Sequence, residues 1–293
     1  MTGKRQRLYI FAEIFGKSGG KCMTERQKNG KAGILTGAVL KNIAYVTMFV
    51  DHFFAVVFLN YMNQHSVNGR WDSRFESIYR AGRAVGRISF VLFTFLIVEG
   101  FFYTRSRVRF LLRLFLFALL SEIPFDLAMS GTVSDWNGQN VYWTLLLGVL
   151  VLTLWDYLSR YRSVLAWAGR YLVLSAGCLV AFFCSTDYRF MGVLLIFVMY
   201  WTRGKDAGIQ FLAAGLVMLF GTWASNLIRY MGIYPADYLF RFSLREMYGL
   251  LAFLLIFLYN GEKGRQFPKA FYYGFYPVHL LVLFGITKAA RIM

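Results

Sequence analysis

A lysine and a histidine lie in the first long apolar segment of this 293-residue chain, where an ionisable side chain is costly. Lys41 and His52 are eleven residues apart. At about 100° per residue a helix places both on one face, about 16 Å apart along its axis. Asp51 points about 100° away from His52, so it is poorly placed to orient the imidazole. Because a neutral imidazole can accept a proton near pH 7, this face carries side chains suited to proton transfer.

Further ionisable side chains fall within or beside later apolar segments. They are Arg87 and Glu99 in the second segment, Arg113, Glu122 and Asp126 in the third, and His279 in the last. Glu122 and Asp126 share a helix face, and Pro124 between them predicts a kink or an end of that helix. For any single residue, hydrogen bonding between helices or snorkelling is a sufficient explanation. Together the charges predict a polar cavity used by a substrate, an ion or a reaction.

The apolar segments that must position these side chains recur along the whole chain. Apolar residues make up 58% of it, in blocks of about 17–22 residues, the length of a helix that crosses about 30 Å of hydrocarbon. The pattern predicts an all-α polytopic transmembrane bundle of about nine (eight to ten) helices in one membrane domain, 36–293, after a basic flexible arm, 1–35. The predicted spans are 36–61, 86–104, 109–128, 141–158, 164–184, 189–202, 208–228, 246–260 and 270–288, and the spans at 189–202 and 246–260 are short.

Basic residues predict the orientation of this bundle. The Lys- and Arg-rich arm puts the N-terminus in the cytoplasm, and alternation places the basic loops 105–109, 159–163, 203–207 and 261–269 on the same side. Loops 129–140 and 185–188 contain no Lys or Arg, whereas the outer segment 62–85 departs from the rule with four arginines. We therefore attribute the net charge of +17 to this bias and to contact with anionic membrane lipids, not to nucleic acid. The expected location is the cell membrane.

Cysteine and histidine usage predicts neither a disulfide framework nor a metal site. The chain has three residues of each type, and their spacing matches no metal-ligand pattern.

Five stretches of the sequence resemble the TraX family. They are LKNIAYVTMFVDH (40–52), GRISFVLFTFLIVEGFFYTRSRVRFLLRL (86–114), SEIPFDLA (121–128), QNVYWTLLLG (139–148) and YYGFYPVHLL (272–281), in the family's order. TraX proteins are membrane proteins named for acetylation of the N-terminus of conjugative pilin. They are similar to the acyltransferase-3 membrane family, whose hallmark is a basic residue, ten intervening residues and a histidine. Lys41 and His52 match that spacing, but the arginines at 105–113 do not reproduce the family's arginine spacing.

The resemblance implies an integral membrane acetyltransferase that uses cytoplasmic acetyl-CoA. The acceptor would be an amine or hydroxyl of an extracytoplasmic protein or glycan, such as a pilin N-terminus, an amino sugar or a surface polysaccharide. His52 would be the general base and Lys41 would bind or polarise the donor, with Asp51 and Glu99 as further catalytic candidates. The donor's phosphates are expected at Arg87, Arg105, Arg107, Arg109 and Arg113. The expected acceptor-binding residues are Glu122, Asp126, Asn140, Tyr276 and His279.

Several roles stay open at this level. The buried carboxylates could orient a histidine, accept its proton or pair with arginines, and His279 could accept a proton or pack helices together. Transfer could be direct or pass through an acylated histidine. A transporter is an alternative function, because intramembrane charges are natural there as well. A non-enzymatic assembly component of a surface structure is the third hypothesis.

Overall fold

The computed structural model describes residues 33–230 and 244–292, and it is helical within those ranges. The helices are α1 (Gly37–Gln64), α2 (Ser73–Tyr103), α3 (Arg107–Ser130), α4 (Val141–Leu158), α5 (Val164–Phe183), α6 (Arg189–Trp201), α7 (Ala207–Tyr230), α8 (245–256) and α9 (Lys269–Ala289). The predicted all-α polytopic bundle is confirmed. Of the predicted N-terminal arm, residues 1–32 lie outside the described part of the chain.

Six of these helices are long and apolar enough to cross a membrane, namely α1, α2, α4, α5, α7 and α9. The chain is therefore a multi-pass membrane protein. Helix α3 is 24 residues long but carries five charged side chains. Helix α6 has 13 residues, and α8 joins a seven-residue 3-10 turn to five α-helical residues. Both are shorter than the roughly 20 residues of a full span, as the sequence predicted for these two segments.

Helix α2 begins at Ser73, whereas the sequence predicted a loop up to residue 85. The Asp72 side chain caps the helix by accepting a hydrogen bond from the Arg74 amide at 2.7 Å, and Glu76 pairs with Arg80 one turn apart. These polar first turns have no apolar signal, which is why hydropathy missed them. As a result Arg83 and Arg87 lie in the middle of a 31-residue helix, not in or near an outer loop.

Helix α3 continues through Pro124 to Ser130, so the proline does not end it. The end comes at Gly131, which adopts a left-handed φ of 74° and donates its amide to the Leu127 carbonyl at 3.2 Å. Glycine reaches this conformation without steric cost and commonly terminates helices. The extra turn keeps Asp126 inside the helix, four residues before its end.

The loops divide between the two ends of the bundle. Loops 104–106, 159–163, 202–206 and 257–268 lie at the end that we call the basic end, because they contain Arg105, Arg162, Lys205 and Lys263. Residues 33–36 join them there, since the Leu35 amide donates to the Leu258 carbonyl at 2.9 Å. Loops 65–72, 131–140 and 184–188 lie at the opposite end.

Helix α1 packs closely along α2, and its hydrogen-bonding pattern changes just beyond His52. Residues Phe54–Phe58 form a π-helical turn between two α-helical parts. Such turns are rare and are frequent at functional sites. Gly82 and Gly86 of α2 face this region. A Cβ atom on Gly82 would lie 2.1 Å from the Phe54 ring, and one on Gly86 would lie 2.0 Å from the Asp51 side chain. The two glycines therefore allow the close approach of α1 and α2.

Candidate functional site

Two buried histidines from opposite ends of the sequence meet in the bundle. The Nδ1 atom of His52 in α1 lies 2.8 Å from Nε2 of His279 in α9. Nδ1 of His279 lies 2.8 Å from the carbonyl oxygen of Phe275, one turn earlier in the same helix. The histidines are 8% and 4% exposed, so water does not supply these hydrogen bonds.

These contacts define which ring nitrogens carry protons when both histidines are neutral. A carbonyl oxygen can only accept, so Nδ1 of His279 carries the proton that it donates to Phe275. Nε2 of His279 is then an acceptor, and Nδ1 of His52 must be the donor to it. The remaining nitrogen, Nε2 of His52, therefore carries a free lone pair and is available to accept a proton.

Aromatic rings enclose the histidine pair. The Tyr276 ring lies 5.8 Å from the His52 ring and 5.6 Å from the His279 ring, and the Phe275 ring stacks on His279 at 5.0 Å. Tyr276 is 1% exposed, and its hydroxyl has no hydrogen-bond partner at acceptable distance and angle among the described residues. A buried hydroxyl without a partner is costly. Together with Nε2 of His52, this hydroxyl is therefore a polar group of the enclosure with spare hydrogen-bonding capacity.

Lys41 occupies the basic end of the same helix face. Its ammonium lies 3.6 Å from the centre of the Tyr272 ring in α9, and Lys263 is its charged neighbour. Lys41 and His52 thus both face α9, as their spacing predicted. Among the described residues Lys41 forms no ion pair, so this position is an uncompensated positive site. The rings of Tyr45 and Phe275, 5.1 Å apart, fill the space between Lys41 and the histidine pair.

Asp51 turns away from His52 into an ion network between α1, α2 and α8. Its carboxylate lies 2.8 Å from the Arg83 guanidinium and 3.1 Å from that of Arg87. The other side of Arg87 lies 3.1 Å from Glu246 in α8. Gly249 brings α8 close to α2, since a Cβ atom there would lie 3.0 Å from the Arg87 carbonyl. Both ends of Arg87 are occupied by carboxylates, so the predicted contact of Arg87 with a donor phosphate is not available in this arrangement.

A cavity of about 330 Å³, which we call the vestibule, lies beside this network. Arg87 and Glu246 line it together with loop 185–188 and the first turn of α6. Its other charged lining residues are Asp187, Arg189 and Arg245, and its neutral polar lining comprises Gln139, Ser185, Thr186, Thr222 and Ser225. The short helices α6 and α8 both begin at this cavity. The vestibule therefore lies at the end of the bundle opposite to the basic end.

The vestibule loop holds an unusual backbone conformation. Ser185, Tyr188 and Arg189 have φ angles of 50°, 61° and 45°, in the left-handed region that non-glycine residues rarely adopt. The conformation is held by the Thr144 hydroxyl, which donates to the Asp187 carbonyl, and by the Tyr188 ring, which stacks on Phe90 at 3.6 Å. Strain of this kind persists where the surrounding structure over-determines it, often at functional sites.

Asp187 presents a carboxylate to the vestibule that forms no ion pair with the described residues. Its Oδ1 accepts the Tyr188 amide at 3.1 Å. Removal from water raises the pKa of Asp187 from 3.8 to about 6, although the nearby charge of Arg87 opposes this rise. A carboxyl group that titrates near neutral pH in a cavity is a candidate functional group.

Three predicted acceptor-binding residues lie together at the vestibule end of α3. The Asn140 side chain donates to Glu122 and, at 2.8 Å, to the Ala118 carbonyl, while the Trp143 indole donates to Glu122 at 2.8 Å. Asp126 accepts the Asp135 amide at 3.0 Å and so secures loop 131–140. These contacts tie α3 to α4. Within residues 33–230 and 244–292, Glu122 and Asp126 neither orient a histidine nor pair with an arginine.

The remaining predicted charges lie at the basic end. Glu99 pairs with Arg203 at 2.7 Å. It lies twelve residues along α2 from Arg87, so the structure does not bring it together with His52. Arg107 is 3% exposed and pairs with Asp156 at 2.8 Å, so it holds α3 against α4 and is not open to a donor phosphate. Arg105, Arg109 and Arg113 line a separate groove of about 410 Å³.

Three residues of these networks were missed by the sequence analysis: Arg83, Asp187 and Glu246. Arg83 and Asp187 fell in segments predicted to be outer loops, and Glu246 stood at the edge of a short span. Their common signal is an ionisable residue near the end of a predicted span, which is too frequent to be decisive. Among the described residues, no group of three His, Cys, Asp or Glu side chains is placed to hold a metal ion.

Known proteins match nearly the whole membrane domain. The TraX protein family matches residues 36–287. A protein from Dichelobacter nodosus described as "Probable fimbrial assembly protein FimC, serogroup H1" is 29% identical over 259 residues, which are 83% of this chain and 92% of that protein. No solved structure matches the chain significantly. Since the family match includes both histidines and the ion network, the chain belongs to the TraX protein family.

Proposed function

We propose that this protein is a membrane acetyltransferase that uses His52 as the general base. The observation that carries the proposal is the hydrogen-bonded chain from Phe275 through His279 to His52, which leaves Nε2 of His52 free to accept a proton. General bases of this kind accelerate reactions by about 10²–10⁴-fold. The spacing of Lys41 and His52, which resembles the hallmark of the acyltransferase-3 family, supports the same role.

The donor is proposed to be acetyl-CoA, approaching from the basic end. Lys41 and its neighbour Lys263 are uncompensated cations at that end of the His52 face, suited to a phosphate or to the developing oxyanion. Tyr45 and Phe275 separate Lys41 from the histidines, so the reactive conformation requires these rings to move aside. Lid and side-chain motions of this sort commonly gate enzyme reactions.

The acceptor is proposed to approach through the vestibule, whose lining offers hydroxyl and amide groups as well as charged side chains of both signs. Its amine or hydroxyl attacks the acetyl carbonyl, and the new C–N or C–O bond forms as the C–S bond breaks. The proton of the nucleophile passes to Nε2 of His52 and then to the leaving thiolate. Such a route needs the basic end in the cytoplasm and the protein in the cell membrane, as the loop charges predict.

The experiment compares vesicles that contain the wild type, His52→Ala or His65→Ala, each supplied with labelled acetyl-CoA on the basic-end side. His65 is an exposed histidine near the other end of α1, so it controls for loss of an imidazole. We expect His52→Ala to lose about 10²-fold or more of the label transferred to acceptors, with unchanged thermal stability, and His65→Ala to keep the activity. A folded His52→Ala with full activity would overturn the role of His52.

A non-enzymatic role in assembling a surface fibre is the second candidate. The name of the Dichelobacter relative, a probable fimbrial assembly protein, favours it. It predicts that deletion of the gene leaves every acetyl group of pilins and surface glycans in place, as read by mass spectrometry. Loss of one acetyl group from such a polymer would instead favour the transferase.

A further inference from the structure

Three arginines at the basic end of α3 form a groove that the ion networks do not use. Arg105, Arg109 and Arg113 line it together with Leu112 and Leu116, around about 410 Å³. Arg109 and Arg113 are four residues apart in α3, so they lie on successive turns of one helix face, and Arg105 lies in the loop just before the helix. The groove is distinct from the proposed path of the donor, which runs along Lys41 of α1 and along α9, because neither lines the groove.

The groove carries positive charge without a balancing carboxylate. None of its three arginines forms an ion pair among the described residues, whereas Arg107 and Arg203 at the same end pair with Asp156 and Glu99. The first turn of α3 also contains no acidic residue. Arg113 uses its Nε–H on the Arg109 carbonyl at 3.1 Å, which leaves its terminal nitrogens available. Three such guanidinium groups suit the oxygens of a phosphate group.

An apolar face of α3 continues directly from the groove. Its leucine and isoleucine side chains are about half exposed: Leu112 53%, Leu116 54%, Leu119 49%, Leu120 63% and Ile123 53%. The spacing of three and four residues makes this one stripe along the helix. In a multi-pass membrane protein, an exposed apolar stripe of this kind faces the acyl chains of the bilayer.

We propose that the groove binds the phosphate of an anionic phospholipid, whose acyl chains lie along this leucine stripe. Phosphate and apolar chains then meet matching surfaces of one helix, which a water-soluble phosphate compound would not need. Coenzyme A has the same phosphate chemistry and was the expected occupant of these arginines. The two sources differ in the apolar part that follows the phosphate, and a binding experiment separates them.

The experiment measures binding to the full-length protein in detergent, by native mass spectrometry and by thermal unfolding. The probes are dioleoylphosphatidylglycerol, dioleoylphosphatidylcholine and coenzyme A. The test variant is R105Q/R109Q/R113Q. The matched control, R162Q/K205Q/R265Q, removes three exposed charges from other loops of the same end.

We expect phosphatidylglycerol to bind the wild type and the control, and to bind the test variant about 100-fold more weakly, since each arginine removed weakens binding about fivefold. Phosphatidylcholine, whose phosphate is balanced by choline, should bind all three proteins weakly. Equal phosphatidylglycerol binding by the test variant and the control would overturn the proposal. So would arginine-dependent binding of coenzyme A in its place. Single substitutions of Arg109 and Arg113 give the same comparison should the triple variant not fold, and neither outcome depends on the role of His52.

Discussion

His279 occupies the position beside His52 that a carboxylate commonly occupies beside a catalytic imidazole. In serine hydrolases a buried aspartate accepts the Nδ1–H bond and so selects the tautomer of the histidine. Here Asp51, although adjacent in sequence, is committed to Arg83 and Arg87, and a second imidazole accepts that bond. The Phe275 carbonyl in turn determines the tautomer of His279. A neutral acceptor of this kind keeps the buried pair free of net charge.

Replacement of His279 tests this positioning role. His279→Leu removes the acceptor for Nδ1 of His52, so both tautomers of His52 become populated and we expect transfer to fall by about 10–100-fold. His279→Gln retains a carbonyl that can accept the same bond, and it should recover part of the rate. Transfer assays measure the rates. ¹⁵N NMR of the three histidines reads the tautomers directly, with His65→Gln as the assignment control. Equal rates and an unchanged tautomer in the leucine variant would contradict the role.

The carboxyl group of Asp187 should make stability depend on pH. Its folded-state pKa of about 6 lies above the ordinary 3.8, so the folded protein binds more protons than the unfolded chain between these values. Stability should therefore fall as pH rises from about 4 to 6 and stay level above that range. Asp187→Asn removes the penalty and should stabilise the protein by up to about 3 kcal/mol at pH 7, with little effect at pH 4. Thermal unfolding across this pH range measures the difference from the wild type. The control Glu76→Gln, at a partly exposed site, keeps Asp187, so its stability should follow the same pH trend as the wild type.

At the scale of elements, the contact between α1 and α2 depends on a glycine in α2, Gly86. Gly86 leaves the space into which Asp51 extends, so Asp51 can reach two arginines one turn apart on α2. The pairing satisfies charges that would otherwise be costly at this depth. The same helix carries Gly100, where a Cβ atom would lie no closer than 3.6 Å to the Phe110 ring.

These two glycines give a matched pair of substitutions in one helix. Gly86→Ala forces the Asp51 side chain away and should destabilise the protein by about 1–3 kcal/mol, the usual cost of overpacking. Gly100→Ala adds the same methyl group at ordinary contact distance from its neighbours. It should stabilise the protein by about 0.5–1 kcal/mol, since glycine weakens a helix interior. Thermal unfolding in detergent compares them. A destabilisation of the same size in both variants would show that helix propensity, not the contact with Asp51, decides the outcome.

The sequence alone predicted most of the helices, and it predicted the α1 face that contributes Lys41 and His52 to the site. Hydropathy located the long spans and the two short ones, and the spacing of Lys41 and His52 predicted their shared face. The partner of His52 could not be predicted, because His279 is 227 residues away and only the packing of α9 against α1 brings them together. The polar first turns of α2 concealed Arg83, and the pairing of Glu99 with Arg203 spans 104 residues. Which carboxylate meets which arginine depends on tertiary contacts that leave no local pattern.

At the scale of the whole molecule, the two ends of the bundle differ in charge and also in how far a polar cavity extends from each end into the bundle. Helices α6 and α8 span about 20 Å each, against about 30 Å for the hydrocarbon core, and both begin at the vestibule. The vestibule therefore extends into the membrane region from its own end, and it brings polar surface to the level of Arg87 and Glu246. This accounts for ionised groups at a depth where lipid contact would exclude them.

The orientation of these ends is tested by labelling single cysteines in a background where Cys22, Cys178 and Cys184 are serine. Val67→Cys lies in a loop at the vestibule end and is 73% exposed in the wild type, while Lys205→Cys lies in an exposed loop at the basic end. By the positive-inside rule we expect an impermeant maleimide to label Val67→Cys in intact spheroplasts and Lys205→Cys only after permeabilisation. The reverse pattern would place the vestibule in the cytoplasm. It would then move the proposed donor and acceptor to the wrong sides of the His52–His279 pair, so this experiment tests the orientation on which the transfer route depends.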